Sequence, residues 1–527
     1  MTTCKTTAGG RNPAKVYTRT IDVAARSDDP STEMPLIETI RDAEDPAKLL
    51  YLVWNGKTTR IVPHLEKNGK IYAPPEMGCA ASEDLRLPDG IAHCGEPREI
   101  LAELSSAISD FIDLSAEELF LVGVYALSSW FPDCLKTVPY LWLVGPLGSG
   151  KSTLLQLLQC VCRRALLIGD VRSASVYNFS SVLFPTLLLD EFEADNSRMG
   201  TELRRLLRIG NTRGVFAARQ GKLFSTFGSK ALSSRQVSPD AALSSRAIVI
   251  GLLPTQENLL PLDEVAKELI AGEFQRKLLM FRLRNHSSVK KFRLPFENLK
   301  DLTPRIRDLA QGLAAPLLGD AELQSRLVAI LREYDREAAI ERSLEPEWLV
   351  AEALFKMCHY DCETSDRDSG SILLVGKLAE YVNDFLAFRG ETMRLSARSA
   401  GAVLKSLGIR TRRLGNLGRG LTFTSSLRKR IHEIALRLGL NRRDIASVAA
   451  LDSGYGGAPC GLCEEAGLTA GLRYVLLNDR PPKPILTRLR RGPLFASTSP
   501  NEPNKESNLA EKQNPRFNDC HVEGSRN

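Results

Sequence analysis

The chain has 527 residues, 43% of them apolar and 25% charged, with a formal net charge of +7, the composition of a soluble protein of two to four domains. Its 11 cysteines are odd in number and scattered, which excludes a secreted disulfide framework and points to reduced thiols. The opening MTTCKTTAGGRNPAK has no signal-peptide core, and the longest apolar stretch, Leu119 to Phe131, is shorter than the ~20 residues of a membrane span, so a cytoplasmic protein with no membrane partner is expected.

Residues 1–48 are polar and aperiodic and are expected to be flexible. Residues 49–96 read as a small β element: Leu49 to Val53 and Thr58 to Val62 flank Asn55-Gly56, and a second turn at Asn68-Gly69 precedes Lys70 to Ala73. Helical spacing of Ile100, Leu101, Leu104, Ile108, Phe111 and Ile112, then a capping box from Ser115 to Glu118, predicts helices over 97–131. From Tyr140 to about Leu253, apolar strand-like runs alternate with helices, the pattern of an α/β domain with a mainly parallel sheet. Residues 97–254 are read as this core with its helical lead-in. Residues 255–365 read as a helical region, 371–440 as a separate compact unit, and 450–527, rich in Gly, Pro, Asn and Ser, as a disordered tail.

Chemistry concentrates in two places in the α/β core. The strand Leu141 to Val144 runs into GPLGSGKS, Gly145 to Ser152, and then into an apolar helix. In that strand–loop–helix context the pattern is a phosphate-binding loop. Gly145, Gly148 and Gly150 let backbone N–H groups turn inward, and the amides of Ser149 to Thr153 open a helix whose N-terminus carries partial positive charge. Lys151 would reach the β- and γ-phosphates of ATP, and the Ser152 hydroxyl would hold Mg²⁺. The second place is Thr186 to Leu189, a buried strand ending in Asp190-Glu191, 39 residues after Lys151. Carboxylates at the C-terminal edge of a parallel sheet lie beside the phosphate loop. Asp190 would hold Mg²⁺, and Glu191 would orient and deprotonate the attacking water. A binding-only switch needs the first acid and not the second, so Glu191 favours hydrolysis.

With these residues the chain resembles AAA+ P-loop ATPases, and more closely a helicase-like family of phages, plasmids and other mobile elements. The resemblance rests on PYLWLVGPLGSGKSTLLQLL, PTLLLDEFE, LLRIGNTRGVFAAR and FGSKALSSRQVSPDAALSSRAIVI, and with the C-terminal unit covers roughly residues 97–440. It implies that Lys230 to Leu232 is the fourth core strand, and that Ser233 or Ser234 after it stands where the family places a polar sensor of the γ-phosphate, Ser234 being the candidate. It implies a helical lid at 255–365, with Arg305 or Arg307 as a lid sensor. Leu243-Ser-Ser-Arg246 resembles the element that lends an arginine finger to a neighbouring subunit, which implies a homo-oligomer, a ring or a dimer, with ATP at the interface; the alternative for Arg246 is a surface salt bridge. Val215 to Phe227 reads as a hairpin turning at Gln220 to Lys222. In helicase-like relatives such hairpins touch nucleic acid; a solvated basic face, including Arg204 and Arg208, is the alternative.

Behind the motor, Ile372 to Phe388 reads as an amphipathic helix, Ser396 caps a helix to Leu407, a hairpin follows over 409–424, and a last helix starts at Ser426. This order resembles a winged helix. From Thr392 to His432 there is no acid, while Arg394, Arg398, Lys405, Arg410, Arg412, Arg413, Arg419, Arg428, Lys429 and Arg430 give ten positive charges in 41 residues. A single-signed patch on this shape is a footprint for DNA phosphates, with Arg398 and Lys405 on the recognition helix, Arg412, Arg413 and Arg419 on the wing, and Arg410 a further nucleic-acid contact. A winged helix used for protein contacts is the alternative. Cys460 and Cys463 have zinc-ligand spacing but no second close pair. The expectation is therefore an ATP-hydrolysing, DNA-associated motor or helicase-like ATPase of a mobile element or phage. Its rival is a nucleotide-switched DNA-binding regulator that does not translocate.

Overall fold

The computed structural model describes residues 16–18, 35–67, 70–74, 85–169, 184–192, 198–219, 221–237, 240–255, 257–342, 345–364, 372–388, 390–438, 440 and 462. The chain forms two units, residues 1–340 and 341–527. No helix among the described residues is long and apolar enough to cross a membrane. The Asn68-Gly69 turn, the Cys460 and Cys463 pair and the expected tail lie outside the described residues.

The first unit begins with β1 (Val16–Thr18), β2 (Leu36–Arg41), β3 (Leu49–Trp54), β4 (Thr59–Val62), β5 (Leu65–Lys67) and β6 (Lys70–Ala73). They make two small sheets, an antiparallel β2-β3-β4 and a mixed β1-β6-β5. The turn from β3 to β4 sits at Asn55-Gly56: Gly56 has φ +94°, and the Asn55 side chain accepts from the Lys57 and Thr58 amides.

β2 lies within the stretch expected to be flexible, 1–48. Its polar residues disguise it, because the most polar of them is among the most buried. Glu38 is 3% exposed and accepts from Arg163 at 2.9 Å, Arg164 at 2.9 Å and Arg282 at 2.6 Å. Burial by itself would raise its pKa; the Arg163, Arg282 and Arg164 charges outweigh it and hold the carboxyl at about 2. Arg282 also donates to Asp133, whose other contact is His286 at 2.6 Å. Asp133, Cys134 and His286 are close enough to one another to suggest a metal. The carboxylate is already shared by Arg282 and His286, and burial pushes the Cys134 thiol up to about 12, so the trio belongs to this ionic cluster.

Two helices follow, α1 (Pro97–Ser109) and α2 (Ala116–Ser128), the second opened by the expected reciprocal bonds between Ser115 and Glu118. The core then runs β7 (Tyr140–Val144), α3 (Lys151–Val161), β8 (Ala165–Ile168), β9 (Thr186–Leu189), α4 (Arg198–Ile209), β10 (Phe216–Arg219), β11 (Lys222–Ser225), β12 (Lys230–Ser234), α5 (Ala241–Ser244) and β13 (Ala247–Gly251). Five strands form one parallel sheet in the order β13-β7-β12-β9-β8. The fold class is α/β, as read from the alternation of apolar runs and helices. Because the sheet is covered on both faces, its strands are almost continuously apolar: β9 is buried at every residue. β10 and β11 stand apart as a hairpin, with Arg219 paired to Lys222. At the foot of β12, buried Lys230 donates to the Thr226 and Gly228 carbonyls at 2.8 Å, tying the hairpin's exit to the sheet; burial pushes its pKa down to about 7.

Helices α6 (Glu264–Lys291), α7 (Pro304–Ala314) and α8 (Ala321–Arg342) complete the unit. α6 is fixed against the end of α3, where Gln275 donates to the Cys160 and Cys162 carbonyls at 2.8 and 3.0 Å. Both cysteines are buried in the core.

The second unit contains α9 (Pro346–Thr364), β14 (Ile372–Leu374), α10 (Val375–Phe388), α11 (Ala397–Ser406), β15 (Arg412–Arg413), β16 (Arg419–Thr422) and α12 (Ser425–Leu438). Its antiparallel sheet has the order β14-β16-β15. Two details differ from the sequence reading. α9, expected within the helical region 255–365, buries Leu349, Val350, Leu354 and Phe355 in the same core as Leu378, Leu404 and Leu421, so this unit starts about 30 residues before 371. Ile372 to Leu374, expected as helix, is strand: three consecutive apolar residues pair with β16, and a run that short fits either periodicity.

Candidate functional site

The site grows from the C-terminal edge of the parallel sheet. β7 ends at Val144, and the chain enters a tight loop at Gly145. A Cβ on Gly145 would stand 2.2 Å from the Leu252 carbonyl and 2.7 Å from the Ser149 hydroxyl, so only glycine fits. Gly148 and Gly150 have φ +74° and +83°, the left-handed region that glycine enters without strain. Gly150 is the N-cap of α3, and the N–H groups of the first helical turn have no partner within the helix. The loop therefore presents amides, and three glycines make that possible.

The side chains around the loop divide by role. Lys151 donates to the Gly145 and Pro146 carbonyls at 2.8 and 2.7 Å. Ser149 is buried and donates to the Pro146 carbonyl, so its backbone, not its hydroxyl, is what it offers a ligand. Ser152 is exposed at the start of the helix.

Opposite the loop stand Asp190 and Glu191, at the end of β9. β12 lies between β7 and β9, so the acids face the loop across the tip of β12, and that tip holds them. The Ser233 hydroxyl donates to the Asp190 carboxylate and accepts from the Glu191 amide at 3.0 Å. The Phe192 amide donates to the Ser233 carbonyl at 2.7 Å. Glu191 itself has φ +50°, a costly conformation for a residue with a Cβ, and Ser233 secures it.

These residues line one cleft of about 370 Å³: Gly148, Ser149, Gly150, Lys151, Ser152 and Thr153 on the loop side, Asp190, Glu191, Ser234 and Arg235 on the other, with Leu147 at the edge. The chemistry of the donor set fits a polyphosphate and a divalent cation: inward amides in a cradle that a Cβ would fill, an amine, a hydroxyl and a carboxylate.

Several candidates lie outside the cleft or are engaged within the fold. Ser234 borders the cleft, but its hydroxyl accepts from the Trp142 indole at 2.8 Å and donates to the Gln236 carbonyl at 2.6 Å; the serine in contact with the acids is Ser233. Arg246 directly precedes β13, at the end of the strands opposite the cleft, where its carbonyl accepts from the Tyr140 amide. Its guanidinium donates to the Arg208 and Ala242 carbonyls, and burial with nearby Arg305 pushes its pKa down. It does not line its own cleft and does not form the alternative surface salt bridge among the described residues. Arg307 donates to the Leu302 and Lys300 carbonyls and lies over Phe296. Arg208 pairs with Asp240 and Arg204 donates to Thr201. Arg219 and Lys222, on the β10–β11 hairpin, are exposed, as are Phe216 and Leu223.

In the second unit, Arg398, Lys405, Arg410, Arg412, Arg413 and Arg419 are all exposed. Arg398 and Lys405, seven residues apart, share a face of α11, and the others belong to the hairpin of β15 and β16 or lead into it. Several of the ten basic residues have partners within the unit: Arg428 donates to the Cys358 carbonyl and lies over Phe423, Arg430 pairs with Glu433, Arg394 donates to the Asn383 carbonyl, and Arg419 donates to the Thr411 hydroxyl.

No family model matches the chain, and no curated protein matches it. Among solved structures, it is similar to a full-length MCM homologue from Methanopyrus kandleri, with a TM-score of 0.34 and 13% identity over 57% of this chain and 76% of that one. It is also similar to the C-terminal region of NrS-1, with a TM-score of 0.32 and 12% identity over 74% of this chain and 97% of that one. Likenesses of this depth concern shape over part of the chain and say nothing of its chemistry.

Proposed function

We propose that the chain is an ATP-hydrolysing, DNA-associated motor of the AAA+ type, a helicase-like ATPase of a phage or other mobile element. The observation that carries this reading is the single cleft in which a glycine cradle and Lys151 face Asp190 and Glu191. Lys151 and the amides of the loop bind the phosphates of ATP. Ser152 and Asp190 hold Mg²⁺, which when bound supplies positive charge against the phosphates. Glu191, exposed at the strand's end, takes the proton of the attacking water. Arg246, at the far end of the sheet, would reach the cleft of a neighbouring copy by giving up its bonds to the Arg208 and Ala242 carbonyls, and the working form is then a homo-oligomer.

The second unit is the DNA-binding part, a winged helix in which α11 is the recognition helix and the β15–β16 hairpin the wing. Arg398, Lys405, Arg410, Arg412, Arg413 and Arg419 contact phosphates, and the acid-free composition of 392–432 supports this. The rival reading, a nucleotide-switched regulator, shares the cleft and the wing and lacks movement along DNA. ATP turnover with and without duplex DNA separates the two. The motor requires turnover that DNA stimulates and that Lys151→Ala and Glu191→Gln abolish, with Glu191→Gln still retaining bound ATP. Turnover indifferent to DNA, together with binding to one defined site, favours the regulator. Undiminished ATP binding by Lys151→Ala overturns both.

A further inference from the structure

We infer that Arg235 is a second phosphate-contacting cation of the cleft, supplied by the same chain as Lys151 and aimed at the terminal phosphate of a nucleoside triphosphate. The inference rests on the nucleotide reading above and adds to it a means of telling triphosphate from diphosphate.

Position is the first argument. Arg235 directly follows β12, and its two predecessors are fixed: Ser233 by the acidic pair, Ser234 by Trp142 and the Gln236 carbonyl. Its backbone is therefore held at the tip of the strand between the loop strand β7 and the acid strand β9. The side chain lines the cleft on the wall that carries Asp190 and Glu191. The base must stand beside the phosphorus that water attacks, so a cation on the base's wall faces the terminal phosphate and not the two held by the loop.

Commitment is the second. Other arginines around this sheet are engaged: Arg208 with Asp240, Arg213 with the Pro132 carbonyl, Arg246 with the Arg208 and Ala242 carbonyls. Arg235 is exposed, and among the described residues it makes no hydrogen bond or ion pair, although two carboxylates border the same cleft. A guanidinium left uncommitted beside acids has its donors available to a ligand.

Charge is the third. The lining holds two carboxylates and one lysine, and a triphosphate adds further negative charge. A guanidinium presents a planar fork that matches two phosphate oxygens at once, which an ammonium cannot do.

The test compares the full-length chain with Arg235→Ala and Arg235→Lys. Each is titrated, with Mg²⁺ present, with an ATP analogue carrying an imido bridge between the β- and γ-phosphorus and, separately, with ADP. Arg235→Ala should weaken the triphosphate analogue by roughly tenfold or more and leave ADP binding unchanged. Arg235→Lys should recover part of the loss. Unchanged thermal unfolding of both variants shows that the fold is intact, as expected for an exposed side chain. Equal affinity of Arg235→Ala and the parent for the triphosphate analogue overturns the inference while leaving the nucleotide reading standing, and so does an equal loss for both nucleotides. A parent chain that binds neither nucleotide overturns the nucleotide reading and this inference with it.

Discussion

Ser233 touches both acids at the end of β9, and if they act on ATP as proposed, it positions them. It gives one hydrogen bond to Asp190 and takes one from the Glu191 amide, across a residue whose backbone is in the left-handed region. Removing the hydroxyl leaves Glu191 free to leave that conformation, so Ser233→Ala should lower kcat by roughly ten- to a hundredfold, the scale associated with a misplaced catalytic group. The KM for ATP should change little, and Ser233→Thr should restore most of the rate. An unchanged kcat in Ser233→Ala removes the serine from the mechanism. The glycines, Lys151, Ser152, Asp190 and Glu191 are legible in the sequence because their chemistry fixes their spacing. The choice between Ser233 and Ser234 is not. Successive side chains on a strand point to opposite faces, and only the packing of Trp142 shows which face meets the acids. Arg235 is hidden for a related reason: a lone arginine after a strand has no spacing signature.

At the scale of elements, the sheet strands are legible by their apolar runs, and β2 is not, because Glu38 makes it look solvated. Its burial works only with Arg163, Arg164 and Arg282 present, one from α6 and two from the turn that ends α3. This fixes a pH dependence. The folded carboxyl sits at about 2, below its ordinary value of 4.5; the stability it contributes is complete above the unfolded value and is lost as pH falls from about 4.5 through about 2. Glu38→Gln leaves three buried guanidinium groups short of a counter-charge and should cost about 3 kcal/mol at neutral pH. Urea unfolding should show that cost at pH 7 and a flatter acid limb in the variant. Equal acid limbs would mean that the cluster contributes nothing through its charge. The helix α9 is hard to assign for the opposite reason: its pattern is plainly helical, and nothing in a helix's own sequence says which core it will join.

At the scale of the molecule, the second unit closes a hydrophobic core of its own from Leu349 to Leu440. A fragment of residues 341–440 should therefore unfold cooperatively and bind duplex DNA with a steep salt dependence. Arg412→Ala with Arg413→Ala should reduce the slope of log K against log salt by up to ~2, roughly one for each phosphate no longer neutralised. A fragment without a cooperative transition would show that α9 is not enough to complete the core. The parallel sheet is foreseeable from the order of motifs, whereas the boundary between the units is not, since helices run through it. The sheet has one further consequence. Its glycine loop and acids lie at one end of the strands and Arg246 at the other, about 17 Å away for five residues at ~3.3 Å each. If Arg246 serves a neighbour's cleft as proposed above, each subunit would receive at one end of its strands and give at the other, a polarity that suits head-to-tail contacts. Contacts of that polarity are heterologous, and they either close into a ring or run on as a filament.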